Sequence, residues 1–210
     1  MNHTPITLSS ATRSLLILLF SSVISACATP LASQQFDFGS AATTPVTSDL
    51  SKMRLLLAEV QVPISLESNT MHYRLQYENA QELRPYSQSR WSMPPAQLIK
   101  QRIKAQINRG GGAVLSTNDG VKNLPLLKLE LEEFSQHFSS PTQSQVQLRW
   151  RASLISNNQL LAQKIFLAQA PCDSADAKGG ASAMPRAADL AIAELIDWLQ
   201  GQVKPSSNSQ

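Results

Sequence analysis

Two long stretches in the second half of the chain alternate between apolar and polar residues. In the first, leucines at every other position from 127 to 131 alternate with one lysine and two glutamates. In the second, apolar residues at every other position from 146 to 154 alternate with polar ones, among them Arg149 and Arg151. A period of two is typical of strands with one buried face. We therefore expect an antiparallel hairpin in which the acidic face of one strand meets the basic face of the other.

Shorter apolar runs elsewhere predict further strands. A run of apolar residues bounded by turn residues such as Gly39, Pro63 and the Asn157–Asn158 pair favours an extended segment. The run that Pro63 ends is apolar on both faces, as expected of a central strand. These additional strands are predicted over residues 35–38, 53–62, 71–77, 113–116 and 161–168.

Two segments change to the helical period. Apolar residues recur at three- and four-residue spacing from Ala96 to Ile107, after a double proline that suits a helix start, and Gly110 is predicted as the left-handed stop. The second helix is predicted from Met184 to Leu199 and ends at Gly201, after a flexible loop over residues 173–180. Several charged residues are predicted to face solvent from these helices: Arg102, Lys104, Arg109, Asp189 and Asp197.

These elements predict the fold class. The 210 residues and 42% hydrophobic content suit a globular protein with one ordinary domain. We expect an α/β domain with a mixed β-sheet flanked by two main helices, one after the Arg90–Pro95 segment and one C-terminal. The formal net charge of +3 is too small and too scattered to indicate a nucleic-acid partner.

The N-terminus has the pattern of a secretory signal peptide. A polar segment ending in Arg13 precedes an apolar run, which is followed by small residues. The apolar segment from Ser14 to Ala26 is shorter than the ~20 residues that span a bilayer. Residues 24–27, Ile-Ser-Ala-Cys, resemble the lipobox of bacterial lipoproteins.

The lipobox resemblance implies that Cys27 is the lipid attachment site. Cleavage would fall between Ala26 and Cys27, with a diacylglyceryl thioether on the sulfur and an acyl chain on the new amine. Each buried methylene contributes about 0.8 kcal/mol, so three chains would anchor the protein firmly. Ala28, where an inner-membrane lipoprotein would carry Asp, resembles an outer-membrane sorting signal. Cys172 then has no intramolecular partner, and we interpret it as a small buried hydrophobe.

The expected organisation of the chain follows. We predict four segments: a signal peptide (1–26), a lipidated tether (27–33), one folded domain (34–201) and a disordered tail (202–210).

No residue pattern indicates catalysis, a metal or a cofactor. His72 and His137 lack metal-ligand spacing with Cys172 or with paired carboxylates. The glutamates at 130, 132 and 133 are interpreted as a row on a strand surface. The glycines at 110–112 follow a helix, whereas a phosphate-binding loop precedes one. We therefore predict no enzyme, no metal site and no cofactor.

A cluster of unusual residues precedes the first long helix. Tyr73 and Arg74 are followed along the chain by Arg90, Trp91 and the Pro94–Pro95 pair. Two interpretations stay open. The prolines and Trp91 are a structural clamp that sets the entry angle of the helix, or the side chains of Tyr73, Arg90 and Trp91 contact a partner protein.

An ordered set of segments resembles the ABC-type transport auxiliary lipoprotein family, which includes the paraquat-inducible membrane-integrity lipoproteins. The segments are Phe36–Gly39 soon after a lipidated cysteine, Val62–Pro63, Met71–Arg74, Arg90–Pro95 and the closing helix from Gly179 to Leu199.

The family resemblance implies a fold, a place and partners. It implies an α/β domain on the periplasmic face of the outer membrane of a Gram-negative bacterium. It also implies a non-catalytic accessory subunit of an intermembrane phospholipid transport system. The implied partners are an MCE-domain protein and an inner-membrane transporter component, with a homo-oligomeric ring of this subunit.

Two alternatives have different partners or chemistry. A lipoprotein could instead assist lipopolysaccharide or outer-membrane protein assembly, in which case it would co-purify with a β-barrel. A periplasmic enzyme with an unrecognised site would show a deep polar pocket with perturbed carboxylates.

Overall fold

A computed structural model describes residues 33–40 and 49–202 of the chain. The segment predicted as a signal peptide, which ends at Ala26, lies outside the described residues, as do Cys27 and most of the predicted C-terminal tail. Within these residues, eight strands form one mixed sheet with two long helices, which confirms the predicted α/β fold class. The strands are β1 (Gln34–Phe36), β2 (Arg54–Leu57), β3 (Thr70–Leu75), β4 (Arg84–Trp91), β5 (Ala113–Ser116), β6 (Leu126–Ser140), β7 (Gln143–Ser156) and β8 (Gln159–Pro171). The helices are α1 (Gln76–Asn79), α2 (Pro95–Arg109) and α3 (Ala177–Gln202), with 3₁₀ turns at Ile64–Leu66 and Thr117–Asp119.

The three longest strands, β6, β7 and β8, form an antiparallel meander. In the β6–β7 register Glu130 lies opposite Arg151, and Arg151 pairs with Glu130 at 3.1 Å and with Glu132 at 2.8 Å. Arg149 also pairs with Glu132, at 3.0 Å. The predicted hairpin, with its acidic face against its basic face, is confirmed.

Along its other edge, β6 pairs in parallel with two strands, β2 and β3. The first part of β6 pairs with β2, through Leu57 and Leu127, and the last part pairs with β3, through Tyr73 and Gln136. β5 adds to β2, and β4 and then β1 add to β3, giving the order β1-β4-β3-β6-β2-β5. A register shift between Leu131 and Glu133 separates the two parts. Such a bulge moves the following side chains to the opposite face.

Both long helices pack on one face of the sheet, which we call the inner face. α3 contacts β7 and β8, and α2 contacts α3 and β5. Trp150 and Phe166 lie under α3, whose contacting side is rich in alanine, so that the helix approaches the strands closely. The isoleucines of α2 at 99, 103 and 107 complete the core.

Three strands differ most from the predictions. The regular part of β2 covers only residues 54–57 of the predicted 53–62, although Gln61 still forms a bridge to Glu130. The strand predicted over 71–77 ends at Leu75, where α1 begins. β4 was not predicted at all. It contains Pro85 and is largely polar, and only Ser89 and Trp91 are buried, so no apolar alternation marks it.

The helix ends also differ. Gly110 has φ −78°, and Gly111, with φ 85°, takes the left-handed conformation instead. α3 begins at Ala177, within the loop predicted over 173–180, because Asp176 caps it by accepting a hydrogen bond of 2.7 Å from the Gly179 amide. The helix also continues past Gly201 to Gln202.

Candidate functional site

The lipid attachment site stays a prediction, because Cys27 lies outside the described residues. The structure does show how the chain after it enters the sheet. β1 pairs in parallel with β4, Gln34 opposite Ser89 and Phe36 opposite Trp91, and the Ser92 amide donates a 2.7 Å hydrogen bond to the Phe36 carbonyl. The segment that follows Cys27 is therefore tied to the sheet within a few residues.

Trp91 holds this entry point in the core. Its side chain is only 2% exposed, with its ring 5.3 Å from that of Phe134 and 6.0 Å from that of Phe38, both edge-on. Its position is that of the structural clamp, and its ring has no surface to offer a partner in this structure. The double proline follows directly, with Pro95 as the first residue of α2.

Tyr73 and Arg90 occupy different surroundings from Trp91. Both side chains are half-buried. The Tyr73 ring lies 4.6 Å from the ring of Tyr86 and 5.8 Å from that of Phe138. The Arg90 guanidinium donates to the backbone carbonyls of Tyr86 and Ser89 on its own strand. Contact of these two residues with a partner stays a prediction.

A groove lies where β1 leaves the sheet and passes over the two long helices. Its volume is about 420 Å³. One wall is the segment from Phe36 to Ser40, and the other is formed by α3 from Ala181 to Asp189. Arg102 of α2 forms the floor. Sequence reasoning did not find this groove, because its walls come from three distant parts of the chain.

Arg102 was predicted to face solvent, and this prediction is wrong. Its side chain is 5% exposed and makes two hydrogen bonds of 2.6 Å to the Asp189 carboxylate, which also accepts from Gln106 at 2.5 Å. A third guanidinium nitrogen lies 3.4 Å from the Gly39 carbonyl oxygen. Asp189, predicted to point outward, is likewise half-buried by this pair. The cluster ties α2, α3 and the segment after β1 together, and it leaves the floor of the groove electrically balanced.

A second polar cluster lies on the outer face of the sheet, along β6 after the bulge. Ser135 Oγ donates to Glu133 Oε1 at 2.5 Å and lies 3.0 Å from His137 Nε2. His137 Nδ1 is 3.1 Å from the amide nitrogen of Gln76 in α1, and Arg74 lies 3.4 Å from Glu133. The bulge keeps Glu133 on the same outer face as Glu130 and Glu132, but Ser135 and Arg74 contact it, so its side chain is less exposed than those of the other two glutamates.

The geometry of this cluster is that of a satisfied buried network. Ser135 is 2% exposed, and the outer nitrogen of His137 meets an amide, whereas a hydrolytic triad places a carboxylate there. Burial alone would raise the pKa of Glu133, but hydrogen bonds from His137 and Ser135, with the Arg74 charge, hold that pKa below its usual range. The carboxylate therefore stays ionised, and its negative charge is matched by its neighbours.

His72 lies in β3 near this cluster, and one of its ring nitrogens lacks a hydrogen-bond partner among the described residues. That nitrogen, Nδ1, is buried. Desolvation lowers the pKa of His72, although the nearby Glu133 charge opposes the shift, so the imidazole is neutral at pH 7. Burial likewise raises the pKa of the Cys172 thiol, which agrees with an unreactive cysteine.

Two further observations concern metals and membranes. Within the described ranges, no group of three or more His, Cys, Asp or Glu side chains could hold a metal ion. Among the helices of those same ranges, none is both long and apolar enough to cross a bilayer.

Comparisons with known proteins agree with the fold. Residues 36–195 match the model of the family described as ABC-type transport auxiliary lipoprotein component. The crystal structure of protein XCC0632 from Xanthomonas campestris superposes with a TM-score of 0.63 at 16% identity, covering 83% of this chain and 89% of that chain. The crystal structure of an uncharacterized protein gives a TM-score of 0.62 at 12% identity, covering 80% and 99%. No curated protein matches this chain.

The family model covers most of the chain, and the chain belongs to the ABC-type transport auxiliary lipoprotein family. The protein is therefore an auxiliary lipoprotein component of ABC-type transport, as the ordered segments indicated. At these identities the two structural likenesses establish the fold alone.

Proposed function

We propose that this protein is anchored by lipid to the periplasmic face of the outer membrane. There it serves as a non-catalytic accessory subunit of an MCE-type phospholipid transport system that maintains the envelope. The observation that carries the proposal is the position of the family match, which begins at residue 36, nine residues after the lipobox cysteine.

The short connection between Cys27 and β1 limits where the domain can lie. β1 begins at Gln34 and is fixed to β4, so seven residues at most separate the lipid from the sheet. A fully extended chain of that length spans about 25 Å. The domain must therefore lie close to the membrane surface, and a transport partner must extend to it.

The partners follow from the family and the resemblance together. We propose an MCE-domain protein that crosses the periplasm and an inner-membrane transporter component. Tyr73 and Arg90 are proposed as contact residues because both are half-buried and retain some surface. A homo-oligomeric ring of the subunit stays a prediction.

Affinity purification of the full chain from detergent-solubilised envelopes tests these partners. We expect an MCE-domain protein and a permease to co-purify. An Ala28→Asp variant should be retained in the inner membrane and serves as the control for sorting. Recovery of a β-barrel or lipopolysaccharide-assembly component, with no MCE-domain protein, would support the alternative function instead.

A pair of charge reversals tests the contact residues. Arg90→Glu should reduce the recovered MCE-domain protein, whereas Arg54→Glu, the same change at an exposed position of β2, should not. Equal recovery with both variants would exclude Arg90 from the contact.

A further inference from the structure

Gln34, the first residue of β1, lies nearer to one end of the sheet than to the other. The registers that lead from β1 through β4 and β3 to β6 place it near the level of Phe134. From Phe134, β6 continues for six residues to Ser140, roughly 20 Å. In the other direction, the β7–β8 turn begins at Asn157, nine residues from Leu148, the residue opposite Phe134, which is roughly 30 Å.

These two distances define a near end and a far end of the domain. The near end consists of α1 and the β6–β7 turn at residues 140–143, and α1 packs against β6. The far end is the end of the sheet where β2, β5 and β6 begin and where the β7–β8 turn lies.

The direction of β1 relates the lipid to the near end. β1 is parallel to β4, which is antiparallel to β3, and β3 is parallel to β6, so the chain enters β1 from the near end. The connection from Cys27 to Gln34 spans at most about 25 Å. That length exceeds the roughly 20 Å to the β6–β7 turn and falls short of the roughly 30 Å to the β7–β8 turn. A lipid on Cys27 can therefore reach the near end, and it cannot reach the far end.

The surface of the near end suits the headgroup region of a bilayer. Tyr77 of α1 has 43% of its surface exposed. Tyrosine is enriched at this depth of a membrane, because its ring is apolar and its hydroxyl group stays hydrated. The seven residues from Ser139 to Gln145 include no charged side chain, and their hydroxyl and amide groups can form hydrogen bonds with lipid headgroups.

The carboxylates at the near end are paired within the domain. Arg84 forms ion pairs with Glu78 at 3.1 Å and with Glu82 at 2.6 Å. In the loop before α3, Asp173 pairs with Arg186 at 3.3 Å. Because these negative charges are balanced by arginines, they add little repulsion toward lipid phosphates.

We propose that the near end lies on the surface of the lipid bilayer, with the ring of Tyr77 at the level of the headgroups. The proposal rests on the lipid anchor at Cys27 under the proposed function, and it adds the orientation of the domain on the membrane. β6 and β7 then extend away from the bilayer, and the β7–β8 turn is the part furthest from it. The flanks of the sheet stay free for neighbouring copies in a ring.

Quenching by labelled lipid headgroups tests this orientation in the full lipidated chain. With Cys172→Ser as the parent, a fluorophore is attached to Thr142→Cys or to Gln159→Cys, both at exposed positions. The chain is reconstituted in vesicles of phosphatidylethanolamine and phosphatidylcholine, part of which carries a nitroxide on its headgroup. Roughly 45 Å of strand separates the two labels, so quenching at residue 142 should be at least about three-fold stronger than at residue 159. Equal quenching, or quenching at neither position, would overturn the proposal.

A substitution of Tyr77 tests the contact itself. Tyr77→Glu should reduce quenching of the label at residue 142 at least about two-fold, because a carboxylate is less favourable than a tyrosine ring at the headgroup level. Val121→Glu is the matched control, since Val121 is 41% exposed and lies in the loop before β6 at the far end. It should leave the quenching unchanged, and circular dichroism checks that both variants fold. Unchanged quenching in Tyr77→Glu would contradict the proposed contact.

The far end provides the competing orientation. Lys52, Arg54 and Lys122 are exposed there, and an anionic bilayer attracts such side chains. The quenching measurement is therefore repeated in vesicles that also contain phosphatidylglycerol. Stronger quenching at residue 159 than at residue 142 in either kind of vesicle would show that these charges orient the domain, and it would overturn the proposal.

Flotation of the vesicles in a density gradient separates this inference from the anchor on which it rests. A chain that does not float with the vesicles contradicts the lipid anchor, and with it this orientation. A chain that floats but lacks the expected difference between the two labels contradicts the orientation alone. Co-purification of the MCE-domain protein tests the transport function separately.

Discussion

The inner and outer faces of the β6–β7–β8 meander come from the same strands but are held by different forces. On the inner face Trp150 and Phe166 are fully buried under α3, and the stabilisation comes from apolar area and close packing. On the outer face of β7 and of β6 before its bulge, charged side chains are partly exposed, and Arg149 and Arg151 pair with Glu130 and Glu132. Solvent screens such pairs, so they contribute little to stability. We therefore expect substitutions on the inner face to lower the free energy of unfolding more than comparable substitutions on the outer face.

The largest expected effect is on the inner face. Trp150→Ala removes a completely buried ring and should lower the free energy of unfolding by about 3–5 kcal/mol, because a cavity remains. Leu167→Ala on the outer face is the matched control and should change it by less than about 0.5 kcal/mol. Urea unfolding followed by circular dichroism measures both. Similar losses would mean that the outer face is covered and the comparison is wrong.

The next effect concerns the close contact between the first turn of α3 and the loop that precedes it. A Cβ atom at Gly179 would lie 2.0 Å from the backbone carbonyl oxygen of Ser174, so Gly179→Ala must displace the loop before the helix. We expect a loss of about 1–3 kcal/mol.

Gly201 is the matched position in the same helix. A Cβ atom there has no neighbour within 4 Å, and Gly201→Ala should stabilise the protein by up to about 1 kcal/mol through helix propensity. If both substitutions stabilise the protein, the close contact at Gly179 is not present in solution.

A smaller effect is expected on the charged side of the outer face. Arg149→Glu places a carboxylate beside Glu132 and removes the 3.0 Å ion pair between them. The free energy of unfolding should fall by about 0.5–1 kcal/mol, and the loss should shrink in high salt. An unchanged melting temperature at low salt would count against the importance of the pairing.

The smallest effect is a dependence on pH through His72. Burial lowers the pKa of His72 in the folded protein. Below about pH 6.5 the imidazole is therefore protonated in the unfolded chain while it stays neutral in the folded chain. Stability is therefore complete above that pH and falls as the pH drops toward the folded pKa. His72→Gln should flatten this fall between pH 7 and pH 5, measured by thermal melts. If stability falls equally steeply in the variant, other titratable groups cause the pH dependence.

The meander was the most predictable part of the fold, and the physical reason is its length. Over the nine residues from 146 to 154 a period of two rarely arises by chance, and here one face is covered by α3 while the other meets water. β4 gave no such pattern. It is polar and has only two buried residues, Ser89 and Trp91, and neighbouring strands hold it in place.

The residues whose surroundings were not predicted from the sequence are those whose partners come from distant parts of the chain. Arg102 lies beside the apolar stripe of α2, and only the approach of α3 shows that its partner is Asp189. Trp91 is buried because β1 and Phe134 pack against it. The sequence held one signal for the Arg102–Asp189 pair. Each of the two predicted helices carries a charged residue next to its apolar stripe.

Intact-mass spectrometry of the protein purified from envelopes tests the central claim that the domain is moored by lipid. The account predicts a mature chain that begins at Cys27 and carries a diacylglyceryl group on sulfur with a third acyl chain on the amine. A chain that keeps residues 1–26, or one with a free thiol at Cys27, would contradict it.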